Sequence, residues 1–168
     1  MKISFYLFIL VIVTILGCSK EDSDIRLPYF EIPEIHGFIL RNDWGDYLGR
    51  IGNPDIKTHA ESNQYSFDIY PNPSNVYINV YCRTPVPNET KKIWVTQAQY
   101  NSNIPNYSLD VGMVNINTGG IPLIQAEFTD NQIRFDVSFF SEGYYRIFIQ
   151  IDKVILYENL IVCHHINK

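Results

Sequence analysis

Basic side chains are scarce in this sequence, and charged residues of either sign are few. The 168 residues include 13 Lys and Arg against 18 Asp and Glu, which gives a formal net charge of −5. Nucleic acid phosphates require a basic stripe, and none is visible, so no nucleic acid partner is expected. Charged residues make up 18% of the chain and hydrophobic residues 46%, which excludes a disordered protein. The length fits one domain of ordinary size with a short appendage.

Sequence signatures of catalysis are also missing. There is no Gly-x-Ser-x-Gly elbow, no His-Glu-x-x-His pair and no glycine-rich phosphate loop. The sequence therefore predicts a protein that is not an enzyme and that needs no cofactor. A small hydrolase built on paired carboxylates is the alternative, because the sequence alone does not show which acids meet in the fold.

Metal-ligand spacings are lacking as well. His164 and His165 are adjacent at the end of a predicted strand, so their side chains point to opposite faces and chelate one ion poorly. Oxygen ligands gather around one turn, as Asn42, Asp43, Asp46 and Asp55. Their spacing does not match the calcium-binding loop of an EF-hand. We predict a solvated turn here and no metal site.

The apolar run at the N-terminus is too short for a membrane-spanning helix, which needs about 20 residues. This run, Ile3–Leu16, follows one lysine and fits the core of a signal peptide. It ends in Ile15-Leu16-Gly17-Cys18, which resembles a bacterial lipobox of two apolar residues, a small residue and a cysteine. The resemblance implies cleavage between Gly17 and Cys18, with residues 1–17 as the lipoprotein signal peptide.

Lipidation of Cys18 is the main prediction from this segment. A cysteine thiol is nucleophilic enough to take a diacylglyceryl group as a thioether. Each buried methylene contributes about 0.8 kcal/mol, so two or three acyl chains such as palmitate would anchor the chain stably in the outer membrane. Residues 18–35 are then the lipidated cysteine and an acidic, flexible tether. Within it, Lys20-Glu21-Asp22 resembles the surface-export signal of Bacteroidetes lipoproteins; the cell surface and the periplasmic face both remain open as locations.

The sequence after the tether shows no helical periodicity. Its pattern predicts short strands instead. Aromatic residues make up 14% of the chain, which favours strands. Two apolar runs, Gly37–Arg41 and Tyr47–Gly52, flank a turn rich in Asn, Asp and Gly. We therefore predict a β-hairpin followed by a loop over residues 36–65.

An alternating pattern identifies the next region as a half-buried sheet. The apolar residues Val76, Ile78, Val80 and Cys82 alternate with polar and aromatic ones at a period of two. Further short runs follow, joined by turns roughly ten residues apart. The sequence therefore predicts an all-β fold, an immunoglobulin-like antiparallel β-sandwich over residues 66–168 that carries the hairpin as an N-terminal extension.

Two turns in this region share their residues with a known family. The first is Phe67-Asp68-Ile69-Tyr70-Pro71-Asn72-Pro73-Ser74, where the prolines force a turn at a sheet rim and Asn72 is expected to close it through its side chain. The second is Ser141-Glu142-Gly143-Tyr144-Tyr145, before a final apolar hairpin. Over residues 66–165 the chain resembles the C-terminal sorting domain of the type IX secretion system of Bacteroidetes. The resemblance implies a β-sandwich linked to secretion or surface attachment, although the family's Asp-x-x-Gly-Lys-like turn is replaced by an Asn-rich loop.

Two cysteines remain besides the lipidated one. Cys82 and Cys163 lie in predicted strands, and a disulfide between them would close a loop of about 80 residues, worth about 4 kcal/mol if unstrained. The alternative is a pair of buried free thiols that act as small apolar fillers.

Four tyrosines form the candidate binding surface. Tyr77 and Tyr81 lie opposite the apolar face of their strand, and Tyr100 and Tyr107 lie in or near the Asn-rich loop. Tyrosine suits a wet recognition surface because it joins an apolar ring to a polar tip. The alternative is that Tyr77 and Tyr81 cover a sheet edge or pack under the hairpin that carries Trp44.

The sequence thus predicts a lipid-anchored, non-enzymatic β-sandwich module of the bacterial envelope. Its partners are the membrane, through the N-terminal lipid, and either secretion or envelope proteins or a glycan. Three functions compete: secretion-linked sorting, binding of glycan or protein, and hydrolysis, of which the last requires acids that the fold would have to bring together.

Overall fold

The computed structural model of the chain describes residues 32–60, 64–102 and 120–164. These residues form ten strands and no helix, so they contain no helix able to cross a membrane. The first five strands are β1 (Glu34–Ile35), β2 (Gly37–Arg41), β3 (Tyr47–Gly52), β4 (Ser66–Tyr70) and β5 (Tyr77–Arg83). The others are β6 (Lys91–Tyr100), β7 (Ile124–Phe128), β8 (Gln132–Asp136), β9 (Gly143–Ile151) and β10 (Val154–Val162).

Two sheets face each other and confirm the predicted β-sandwich. The larger sheet has the order β1-β6-β9-β10. Strand β7 also pairs with β6, on the same side of β6 as β1. The smaller sheet has the order β4-β5-β8 and is antiparallel throughout. The predicted hairpin is also confirmed, because β2 and β3 pair antiparallel.

Alternation along the strands builds the core between the sheets. On β5, Ile78, Val80 and Cys82 are fully buried, and on β9 the alternate residues Ile147, Ile149 and Ile151 meet them from the larger sheet. Val76 was expected on the same inner face, but it precedes β5 and is half exposed. The inward side chains, every second residue along each strand, therefore supply the hydrophobic stabilisation that sets the strand register. The middle of β9 is buried on both faces.

The hairpin packs on the outer face of the larger sheet. Phe38 of β2 lies 5.4 Å from the rings of both Tyr100 and Tyr144, measured between centroids. Further along the same face, Arg146 pairs with Asp55. The predicted extension therefore forms a third layer on the sandwich.

Asn72 joins this layer to the edge strand β10. Its side-chain amide donates to the carbonyls of Ile39 and Asn159, each at 2.8 Å, and its side-chain oxygen accepts from the N–H of Ile161 at 3.0 Å. Its backbone also exchanges two 3.0 Å hydrogen bonds with Arg41. We expected this side chain to close its own turn, and that expectation is wrong. The turn places the side-chain amide between the edges of β2 and β10. There it forms hydrogen bonds with backbone groups that have no partner within their own strands.

We expect Asn72→Ala to lower the free energy of unfolding by about 3 kcal/mol or more. The substitution leaves buried backbone donors and acceptors without partners, and each such group costs roughly 1–3 kcal/mol. Urea unfolding followed by tryptophan fluorescence measures the loss. Asn131→Ala, at an exposed turn, is the matched control and should stay within about 0.5 kcal/mol of the parent. Equal stabilities for both variants would contradict the role of Asn72.

Candidate functional site

The structure separates the four tyrosines of the predicted surface. Tyr77 and Tyr81 both lie on the outward face of the smaller sheet, where their neighbours across the strands are Asp136 and Gln132 of β8. Tyr100 belongs to the opposite side of the molecule, in the aromatic cluster under the hairpin. Tyr107 lies outside the described residues. Of the four tyrosines, Tyr77 and Tyr81 therefore share one face, the outward face of the smaller sheet.

One end of that face holds a depression of about 360 Å³. Its walls combine aromatic rings with charged and amide side chains from the hairpin and from all three strands of the smaller sheet. The side chains that line it are Arg41, Trp44, Asp68, Tyr70, Tyr81 and Gln132. We call this the Trp44 depression.

The hairpin turn fixes the position of Trp44. The side-chain oxygen of Asn42 accepts from the backbone N–H groups of Trp44 and Asp46, each at 2.9 Å, and its amide donates to the Asp46 carboxylate at 2.9 Å. An asparagine that bonds the backbone two residues on stabilises a tight turn. Trp44 is nevertheless 85% exposed. The turn therefore presents a large ring to solvent from a fixed backbone.

Gly45 lets this turn approach the smaller sheet closely. Its φ is +87°, a conformation that other residues rarely adopt, and a Cβ here would lie 3.3 Å from the Tyr70 ring. The Tyr70 hydroxyl in turn accepts a 3.2 Å hydrogen bond from the amide of Gln132. The turn, β4 and β8 are thereby brought together around one ring.

An ion cluster lies between the hairpin and the sheets. Arg41 donates to the carboxylate of Glu158 on β10 and, at 3.0 Å, to that of Asp68 on β4. Glu158 is fully buried and also accepts a 3.3 Å hydrogen bond from the N–H of Ile69. Burial raises the pKa of Glu158 to about 7, although the Arg41 charge acts in the opposite direction. Asp68 keeps 38% of its side chain exposed and forms the accessible end of the cluster.

The two cysteines do not meet. Cys82 is buried near the end of β5, whereas the N–H of Cys163 donates to the carbonyl of Ser74, before β5 begins. The length of β5 separates them, about 16 Å at roughly 3.3 Å per residue. A disulfide requires Cα atoms within about 7 Å. Both are free thiols, so the disulfide prediction is wrong. Cys82 fits the alternative of a buried apolar filler, whereas Cys163 follows the end of β10 and is only half-buried.

The oxygen-bearing side chains that the sequence gathers around the turn also separate. Asp46 bonds to Asn42 within the turn, whereas Asp55 binds Arg146 on the outer face of the larger sheet. Among the described residues no group of three or more His, Cys, Asp and Glu side chains could hold a metal ion. Gly17, Cys18 and His165 lie outside the described part of the chain.

Sequence reasoning missed most of the Trp44 depression. Asp68 and Tyr70 alternate with the buried residues Phe67 and Ile69, a signal that would have placed them on the outward face of β4. Their proximity to Trp44 depends on how the hairpin docks on the sandwich. The residue pattern along a single strand does not predict this docking.

No protein-family model matches the chain, and no curated protein is significantly similar to it. The geometry of the described residues and the sequence motifs therefore carry the functional argument.

Thiol titration tests the free cysteines. In the Cys18→Ser chain, unfolded without reductant, we expect two reactive thiols, those of Cys82 and Cys163. In the native chain Cys82 should react far more slowly, because burial raises its pKa to about 12 and excludes the reagent. Finding no thiol in the unfolded, unreduced chain would show that the two are bonded.

Glu158 should make stability fall as the pH rises. Because burial raises its pKa from the ordinary value of 4.5 to about 7, the folded state binds the proton more tightly between these pH values. This preference stabilises the fold below pH 4.5 and is lost as the pH passes 7, at a cost of about 3 kcal/mol. Urea unfolding at pH 5 and pH 8 should show this fall in the parent but not in Glu158→Gln. Glu127→Gln, on an exposed position of β7, should behave like the parent, and a fall retained in Glu158→Gln would refute the assignment.

Proposed function

We propose that the chain is a lipid-anchored protein of the bacterial cell envelope that acts as a non-enzymatic binding module. The anchor rests on the lipobox-like sequence that ends at Cys18. The binding role rests on the outward face of the smaller sheet, where the Trp44 depression exposes aromatic rings beside hydrogen-bonding groups. Sites of this composition, a few polar groups among aromatic ones, are typical of ligand recognition.

The carboxylates that approach each other are engaged in holding the fold. Glu158 has a pKa near neutrality, which suits a general acid, but it is fully buried and occupied by Arg41 and the N–H of Ile69. Asp68 shares the same arginine. A catalytic acid must reach its substrate, and Glu158 has no path to one in this arrangement. The geometry therefore favours binding over hydrolysis.

The sorting-domain resemblance stays a prediction. Asn72, at the centre of the Pro-Asn-Pro turn, is fully buried and bonds to β2 and β10. An internal contact of this kind supports the sandwich and leaves no side chain of Asn72 for a transport machine to read. The exposed Trp44 depression is the better supported recognition surface.

Replacement of Cys18 tests the anchor. In a lipoprotein-producing bacterium, Cys18→Ser should abolish labelling by radioactive palmitate and move the protein from the detergent phase to the aqueous phase, because the acyl chains supply the membrane affinity. Cys163→Ser is the matched control and should keep both label and partition. Retention of the Cys18→Ser protein in the detergent phase would refute the anchor.

A further inference from the structure

The Trp44 ring is an exposed aromatic surface on a turn whose backbone is held in place. Most exposed side chains that are large and apolar occur singly and need no function. This one differs because Asn42 holds the backbone of the turn through two hydrogen bonds, and Gly45 seats the turn against Tyr70. A turn whose backbone is already ordered loses less conformational entropy on binding than a mobile loop.

Polar groups surround the ring on the sheet side. Tyr81 is 36% exposed, and its cross-strand neighbours on the same face are Asp68 and Gln132. The depression thus contains a carboxylate acceptor, an amide that both donates and accepts, and phenolic hydroxyls. These groups can satisfy several hydroxyls at once.

A sugar ring has the complementary surface. One face of a pyranose is made of C–H groups, which pack on an aromatic ring, and its rim carries hydroxyls, which need hydrogen-bond partners. The volume of about 360 Å³ lies at the low end of ligand sites, roughly 300–1,000 Å³. We propose that the Trp44 depression binds a neutral saccharide, with one pyranose ring stacked on Trp44 and hydroxyls bound by Asp68 and Gln132. This inference deepens the binding role proposed above and rests on it.

The charges of the depression favour a neutral ligand. Arg41 is neutralised by Asp68 and Glu158, and its side chain is only 12% exposed. Asp68, at 38%, is the more accessible charge. A negatively charged sugar would therefore meet a carboxylate before a guanidinium and would be repelled.

The test uses the full lipidated chain in a polyoxyethylene detergent, whose headgroup contains no sugar. The probes are neutral oligosaccharides of glucose, mannose, galactose, xylose and N-acetylglucosamine, with oligogalacturonate as the anionic comparison. Titration calorimetry gives the affinity. We expect at least one neutral probe to bind with a Kd of about 1 mM or tighter and oligogalacturonate to bind more weakly.

Three variants locate the site. Trp44→Ala and Gln132→Ala should each weaken binding, the former by about 10-fold or more, because a stacking surface is lost. Tyr47→Ala is the matched control: its ring is 64% exposed on the same hairpin but does not line the depression, so the affinity should not change. Thermal unfolding checks that each variant is folded.

Two results would overturn the inference. One is the absence of binding by every neutral probe at about 10 mM. This result overturns the saccharide proposal even if Trp44 binds an envelope protein. The other is equal affinity in the parent and in folded Trp44→Ala. Neither result alters the palmitate label at Cys18, so failure of the saccharide site and failure of the anchor are distinguishable.

Discussion

The buried hydrogen bond from Arg41 to Glu158 is the interaction on which the arrangement of the molecule depends. Glu158 lies on the inner face of β10 and is fully buried, so its ionised form is costly without a partner. The partner comes from the hairpin, 117 positions away in the sequence. If the hairpin left the sandwich, Arg41 would return to solvent and the buried carboxyl of Glu158 would lose its partner. The hairpin is therefore part of the folded unit.

A second set of contacts, made by neutral hydrogen-bonding groups, also connects the hairpin to β10. Asn72 connects β2 to β10 through its side-chain amide, and its backbone pairs with Arg41. Arg41 is thus held through its backbone on one side and through its guanidinium on the other. Because β2 is fixed at this end, the turn that follows it lies in a defined place above Tyr70. The position of Trp44, and hence the candidate site, follows from these contacts.

Local patterns predict the parts of this molecule that local forces decide. The alternation of Ile78, Val80 and Cys82 with tyrosines gave the orientation of β5, because one face of a sheet strand is buried. The turn around Asn42 was equally readable from its residue types. Glu158, a charge within the apolar run of β10, was a signal in the sequence that the prediction did not use.

The remaining errors come from contacts between distant segments. Tyr100 was grouped with Tyr77 although strand pairing puts it on the other sheet. A disulfide between Cys82 and Cys163 was one of two possibilities on redox grounds, and the path of the strands places the two cysteines at opposite ends of β5. The Trp44 depression itself combines the hairpin with three strands, so only the docking of these elements reveals it.

Hydrogen exchange in the native state measures most directly whether hairpin and sandwich are one unit. The N–H of Arg41, bonded to the carbonyl of Asn72, is compared with core amides of β9 such as that of Ile149. The account predicts that both exchange only through global unfolding, with equal free energies and the same denaturant dependence. Exchange of the Arg41 amide through a local opening of much lower free energy would contradict it.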